Sequence, residues 1–265
     1  MPELLWWQWG LGALAALLVG CAKTGVPGLG VLVVPLMATA FGARPSVGTL
    51  LPLLIVADCF AVCWYRRHAQ WRHIVRLIPW LLPGMALGAW VLAAVDGWRI
   101  AGLDGARLFA PLIGLVVLVM LGLLLARRRL GERMTPKHPL LLGATGAGTG
   151  FATTLANAAG PIMTLYLTGM GLPKQQFMGT AAWFFLLVNL SKVPLYAALS
   201  LWGDGAPLFT RSSLTIDLLL APLILVGVFV GRWLLPKLSQ GLFDRLVLAL
   251  AGLAALKLLT TPWTG

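Results

Sequence analysis

Residues 21–30 read CAKTGVPGLG and interrupt an apolar segment with three glycines, a proline and a lysine. A straight helix through lipid does not suit this composition, because glycine and proline weaken helices and a lysine in hydrocarbon is costly. Irregular backbone at membrane depth is tolerated only where protein covers it or a water-filled cavity meets it. We therefore predict a broken or re-entrant helix here, beside a polar site.

A second break of the same kind lies in the other half of the chain. Residues 153–161 read TTLANAAGP and interrupt another apolar segment. Paired interruptions at corresponding places in two halves are typical of the substrate site of secondary transporters.

The two breaks belong to a sequence that repeats. Residues of the first half recur at a constant offset of 131 and farther along at an offset of 143, and the recurring positions are Gly48, Thr49, Asp58 (as Asn189), Tyr65, Pro79, Gly84, Gly88 and Trp90. Two matching halves in a membrane chain indicate a transporter. We interpret the pairs Gly84 with Gly88 and Gly227 with Gly231 as small residues that let helices approach closely.

The composition places the chain in a membrane. Of 265 residues, 59% are apolar and 11% are charged, which leaves too little polar cover for a water-soluble surface. Ten apolar segments are each long enough to cross a bilayer or enter it: 4–22, 26–40, 46–65, 74–95, 108–126, 140–156, 160–171, 177–199, 215–235 and 242–260. The second segment of each half is short. The predicted fold is an all-α polytopic membrane protein with two inverted-topology helical repeats and broken or re-entrant helices.

Charge predicts the orientation. The 20 Lys and Arg against 8 Asp and Glu gather in short loops, which indicates membrane topology rather than nucleic-acid binding. We predict a first repeat over 1–126, a basic cytoplasmic linker over 127–138 and a second repeat over 139–265. Loop 66–73 then lies inside and loops 96–107 and 200–213 lie outside, so the halves are inverted. A parallel repeat with one fewer crossing per half is the alternative. Trp6, Trp7 and Trp9, without a basic leader, favour a retained interfacial helix over a cleaved signal.

The breaks suit an anion. A helix that restarts after a break presents free N–H groups and the positive end of its dipole. We predict that substrate is bound by residues at and around the two breaks, namely Lys23, Thr24, Gly25, Pro27, Gly28, Asn157, Gly160, Pro161, Asn189 and Lys192. For both lysines, reaching to a membrane interface is the alternative.

Other polar residues have structural explanations as well as functional ones. Asp58 lies deep in an apolar segment, and three roles are open to it: it is kept neutral by burial, it pairs with a lysine, or it carries a coupling proton. Pairing with a lysine is favoured. Asp58 is also the deep carboxylate that ion-coupled transport would use. Tyr65 and Tyr196 fit interface anchors better than ligands. The histidines are expected to lie in solvated loops, at His68, His73 and His138. The cysteines are expected to be small packing residues rather than metal ligands or disulfide partners, at Cys21, Cys59 and Cys63.

The chain resembles the sulfite exporter TauE/SafE family, also called the toluene sulfonate uptake permease family. The resemblance rests on four blocks in order along the chain: KTGVPG at 23–28, LPLLIVAD at 51–58, NAAGP at 157–161 and NLSKVPLY at 189–196. It implies a multi-pass permease of the bacterial inner membrane for sulfur-containing anions such as sulfite, sulfoacetate or other organosulfonates.

The favoured function is therefore a secondary transporter of such anions, in the export direction. An anion channel and a proton- or sodium-coupled uptake permease stay open. An intramembrane enzyme is disfavoured because no nucleophile has an evident base partner. ATP-driven pumping would require another chain, because the sequence has no GxxxxGK[ST] loop to bind ATP. The expected partners are a small anion and the lipid bilayer, with no nucleic acid and no cofactor, and a homodimer is left open.

Overall fold

A computed structural model describes residues 4–24, 29–100, 103–130, 139–202, 205–234 and 240–264. Within these residues the chain forms ten α-helices: α1 Trp6–Thr24, α2 Gly30–Phe41, α3 Ala43–Tyr65, α4 Trp71–Ala94, α5 Gly105–Leu130, α6 Pro139–Ala156, α7 Gly160–Gly169, α8 Lys174–Trp202, α9 Arg211–Leu234 and α10 Gln240–Thr264. Two 3-10 turns, Arg66–His68 and Val95–Gly97, end α3 and α4. Two-residue strands β1 (Arg99–Ile100) and β2 (Leu103–Asp104) pair antiparallel in the loop before α5. The all-α prediction is confirmed, and each predicted segment contains one helix.

The protein is a polytopic membrane protein. In the described part of the chain, five helical stretches are long and apolar enough to cross a bilayer: Ala43–His68, Trp71–Gly97, Arg107–Ala126, Lys174–Leu201 and Arg211–Gly231. Large apolar side chains such as Leu218 and Trp90 project outward from these stretches, as a lipid-facing surface requires. The predicted linker over 127–138 overlaps the end of α5, and residues 131–138 lie outside the described residues.

Helices α1 with α2, and α6 with α7, form two hairpins. Helix α2 returns along α1, where the Gln8 side chain donates to the carbonyl of Ala40 at 2.7 Å. Helix α6 ends where Asn157 adopts a φ of 54°, a left-handed conformation that breaks the helix. With 12 and 10 residues, α2 and α7 are the shortest of the helices described. The prediction of broken helices is confirmed at 153–161, while residues 25–28 of the first break lie outside the described residues.

Each half of the chain packs one of its helices against the hairpin of the other half. Helix α9 packs along α1, and α4 packs along α6, with glycine at each crossing. A Cβ on Gly20 would overlap the carbonyl oxygen of Ile224, and one on Gly150 would overlap that of Leu81. Gly84 and Gly227 meet Ala147 and Leu17 in the same way, so the packing role predicted for these glycines is confirmed.

Helices α3 and α8 cross at the centre and run antiparallel. Gly179 near the start of α8 lies against the carbonyl of Tyr65 at the end of α3, while Gly48 near the start of α3 lies against Leu208 just beyond α8. Since α3 and α8 occupy the same place in the two halves, their opposite directions agree with the inverted repeat, which stays a prediction for the membrane.

Candidate functional site

A pocket of about 920 Å³, including its open mouth, lies between the two hairpins and the central helices α3 and α8. Its walls are largely apolar, with Leu50, Leu54, Met178 and Phe185 among them. A smaller set of polar or backbone-exposing residues shares the wall: Lys23, Gly30, Thr153, Asn157, Gly160, Thr164 and Asn189. Apolar walls with a few placed polar groups are typical of small-molecule sites.

Lys23 and Asp58 form a buried ion pair at the pocket wall. Lys23 Nζ lies 2.7 Å from Asp58 Oδ1, and the Asn189 amide donates to Asp58 Oδ2 at 2.6 Å. Asp58 is completely buried. Lys23 Nζ also lies 4.1 Å from the centre of the Phe185 ring, which provides a cation–π contact. Of the three roles open to Asp58, pairing with a lysine is therefore the one that the structure contains.

Lys192 lies behind the pocket rather than on its wall. Its side chain is 0% exposed, and Nζ donates to the backbone oxygen of Thr153 at 3.2 Å, to Thr153 Oγ1 at 3.0 Å and to Asn157 Oδ1 at 2.5 Å. The alternative that Lys192 reaches a membrane interface is thus wrong. A cation at the carboxyl end of α6 satisfies carbonyls that the break leaves open and offsets the negative end of the helix dipole.

The two predicted interface tyrosines satisfy helix ends instead. Tyr196 is completely buried and donates its hydroxyl to the carbonyl of Thr154 at 2.7 Å, so an anchor role for Tyr196 is wrong. Tyr65 donates to the carbonyl of Thr24 at 3.2 Å. The hydroxyls supply hydrogen bonds that the broken helices α1 and α6 cannot make internally.

Both short helices begin at the pocket. Gly30 opens α2 and Gly160 opens α7, and a Cβ on either residue would meet nothing within 4 Å. The positive ends of both helix dipoles therefore lie at the pocket, where they favour an anion. Pro161 also lines the pocket and occupies an early position of α7, where its missing N–H costs no hydrogen bond.

The remaining predicted residues lie elsewhere. Thr24 is buried away from the pocket and donates to the carbonyls of Gly20 and Val228 at 2.9 and 3.3 Å. Gly25, Pro27 and Gly28 lie outside the described residues. The expectation that His73 is solvated is wrong, because it is buried in the first turn of α4 and its carbonyl accepts from Tyr166.

Sequence reasoning missed a second buried carboxylate, Asp217 on α9. Its side chain is 5% exposed, and neither carboxylate oxygen has a hydrogen-bond partner among the described residues. The signal was available, since Asp217 is the only acidic residue in the apolar segment 215–235 and its counterpart at offset 143 is Ile74. Asp58 is therefore not alone as a deep carboxylate.

Comparison with known proteins agrees with this architecture. The family model described as sulfite exporter TauE/SafE matches residues 12–258, which span both hairpins and the pocket. The chain belongs to the sulfite exporter TauE/SafE family. No curated protein and no solved structure gives a significant match.

Membership of the TauE/SafE family makes the chain a membrane transport protein and agrees with the absence of enzyme motifs in its sequence. The matched range includes both breaks and the central residues Lys23, Asp58, Asn157 and Asn189. The pocket therefore lies within the part of the chain that the family model matches.

Proposed function

We propose that this TauE/SafE protein exports small sulfur-containing anions, such as sulfite, sulfoacetate or other organosulfonates, across a bacterial inner membrane through this pocket. One observation carries the proposal: residues of both halves, including Lys23 and the first residues of α2 and α7, line the same pocket. The family supplies the sulfur chemistry, and the pocket supplies the preference for negative charge.

The polar groups available to a ligand are mainly donors. The Lys23 ammonium and the second N–H of the Asn157 amide donate hydrogen bonds, and the positive ends of the α2 and α7 dipoles add to the attraction for an anion. Oxyanions bind where backbone N–H groups and a cation converge. The apolar remainder of the wall excludes water, which strengthens these contacts.

The repeat architecture supports a carrier rather than a channel. Two inverted halves that pack on each other through matched crossings can exchange roles, so that the pocket faces one side and then the other. A channel with the same polar groups would pass anions without saturation. Saturable exchange of anions therefore separates the two functions.

Export needs no second ion. With a negative cell interior, each negative charge that leaves gains about 2.3 kcal/mol per 100 mV, or about fiftyfold in concentration at equilibrium. Uptake against this field requires a symported cation, and the buried carboxylates Asp58 and Asp217 are the groups on which such coupling could depend.

The test is counterflow of labelled sulfite, thiosulfate, sulfoacetate and taurine in proteoliposomes. We expect saturable exchange of at least one of these anions, and we expect Lys23→Ala to lose it. Lys174→Ala is the matched control, because Lys174 is an exposed lysine at the start of α8 that does not line the pocket. Equal transport by Lys23→Ala and the parent protein would show that the pocket is not the site.

A labelling experiment tests the pocket without relying on activity. In a variant whose native cysteines are replaced by alanine, Gly160→Cys should react with a small thiol reagent and be protected by a transported anion. Gly10→Cys on α1, where a Cβ would also meet nothing within 4 Å, should react without protection. Equal labelling of Gly160→Cys with and without anion would contradict the proposed site.

A further inference from the structure

We propose that the site is built for a monoanion, because the buried charges at and directly behind the pocket sum to one positive charge. This inference rests on the proposed function and narrows its substrate class. Among the described residues that line the pocket or bond directly to its wall, the charged side chains are Lys23, Asp58 and Lys192. Their contacts decide the net charge that a substrate meets.

The opposite charges of Lys23 and Asp58 cancel. They lie 2.7 Å apart, Asp58 is fully buried, and Asn189 occupies the other carboxylate oxygen. The pair therefore presents no net charge to a ligand, although the Lys23 ammonium keeps further N–H groups for one.

Lys192 has no carboxylate of its own. Its three hydrogen bonds go to Thr153 O, Thr153 Oγ1 and Asn157 Oδ1, which are neutral acceptors and match the three donors of an ammonium. Both Thr153 and Asn157 line the pocket, so a single layer of side chains separates this charge from a ligand. An isolated buried charge is unfavourable, and an anion in the pocket offsets it.

Lys192 also sets the polarity of the wall. Because Asn157 Oδ1 and Thr153 Oγ1 accept from Lys192, the Asn157 amide and the Thr153 hydroxyl keep their donors for other partners. The Asn157 amide nitrogen donates to the carbonyl of Val47 at 2.9 Å and keeps its second N–H. Lys192 is thus a positioning residue that acts through Thr153 and Asn157.

The valence of the substrate follows. A sulfonate or bisulfite carries one negative charge and leaves the occupied site neutral. A dianion such as sulfite or sulfoacetate leaves one negative charge buried, which low-dielectric surroundings penalise. A zwitterion such as taurine leaves the positive charge of the empty site uncompensated.

The test compares sulfonates that differ in charge. Counterflow is measured in proteoliposomes with methanesulfonate, sulfoacetate and taurine, which carry one, two and no net negative charges. We expect methanesulfonate to half-saturate exchange at a concentration about tenfold or more below the other two. For sulfite, the concentration of the bisulfite form that half-saturates exchange should be the same in mildly acid and in mildly alkaline buffer.

Variants change the charge of the site in both directions. Asp58→Asn leaves two positive charges and should move the preference toward sulfoacetate, whereas Lys192→Met leaves none and should weaken methanesulfonate about tenfold relative to taurine. The conservative variant Lys192→Arg keeps the positive charge behind the wall and should keep the preference for a monoanion. A purely structural role would change all three substrates by the same factor.

The outcomes separate the inference from the proposed function. Saturable exchange with no preference by charge, or an unchanged preference in Asp58→Asn and Lys192→Met, overturns the monoanion inference alone. No exchange of any sulfonate or of sulfite overturns the proposed function and the inference with it. Because Lys192→Arg keeps the charge of the site and Asp58→Asn raises it, the two variants test the charge rule even if Lys192→Met fails to fold.

Discussion

Removing one partner of the Lys23–Asp58 pair should destabilise the protein strongly. Lys23→Met leaves a carboxylate that is fully buried with one hydrogen bond, from Asn189 at 2.6 Å. Breaking a buried ion pair in this way costs about 3–5 kcal/mol, because the remaining charge has neither solvent nor counter-charge. The empty space left by the ammonium adds little, since methionine fills a similar volume.

A double-mutant cycle isolates this effect. The parent protein, Lys23→Met, Asp58→Asn and the double variant are compared by apparent melting temperature in one detergent. At about 2–4 °C per kcal/mol for a chain of this size, each single variant should melt about 10 °C lower. The double variant should recover most of the loss, because it removes both charges while asparagine keeps a group able to bond Asn189.

Lys174→Met on exposed Lys174 is the matched control and should leave the melting temperature unchanged. Additive losses, with the double variant melting lowest, would refute the reasoning. They would mean that Lys23 and Asp58 stabilise the protein independently, so that the pair is not the unit that holds the hairpin α1–α2 to α3.

Three further predictions follow from other contacts. Gly20→Ala should lower the free energy of unfolding by about 2 kcal/mol or more, since its Cβ would overlap the backbone of α9. Gly10→Ala in the same helix is the control: in the same melting assay it should leave the protein's stability unchanged or raise it by up to about 1 kcal/mol. Arg44 lies 2.9 Å from Asp96 and donates to the carbonyls of residues 92 and 206, so Arg44→Gln should lower the melting temperature by several degrees more than Asp96→Asn, and equal effects would contradict this. Asp217→Asn should fold as well as the parent protein, because a neutral isostere needs no counter-charge. If this variant loses uptake but keeps efflux in proteoliposomes, Asp217 is the coupling group. If transport is unchanged in both directions, Asp217 is not the coupling group.

Local chemistry made the architecture predictable. Glycine, proline and polar residues cannot continue a helix in lipid, so the interruption at 153–161 specified the break of α6 at Asn157. The repeated glycines specified close crossings, because a position that must lack a Cβ is visible as a glycine at the same place in each half. The family blocks lie in the same segments, which is why the membrane transport class followed from the sequence.

Partner choice was not predictable from the sequence. The sequence favoured a lysine as the partner of Asp58 without naming one, and only the packing of α1 against α3 brings Lys23 within 2.7 Å of it. Lys192 meets Thr153 and Asn157 instead, and Tyr196 meets a carbonyl in the protein interior. A lysine or tyrosine that reaches an interface and one that caps a buried helix end have the same local sequence.

The sequence by itself determined the solvent, the helical class, the break at 153–161 and the family, since each depends on residues close together in the chain or on their repetition. The tertiary structure decided that Lys23 pairs with Asp58 while Lys192 bonds to neutral acceptors, and it revealed Asp217 as a second buried carboxylate. The physical reason is that the electrostatic energy of a buried group depends on neighbours a few ångströms away, and these neighbours come from helices distant in the chain.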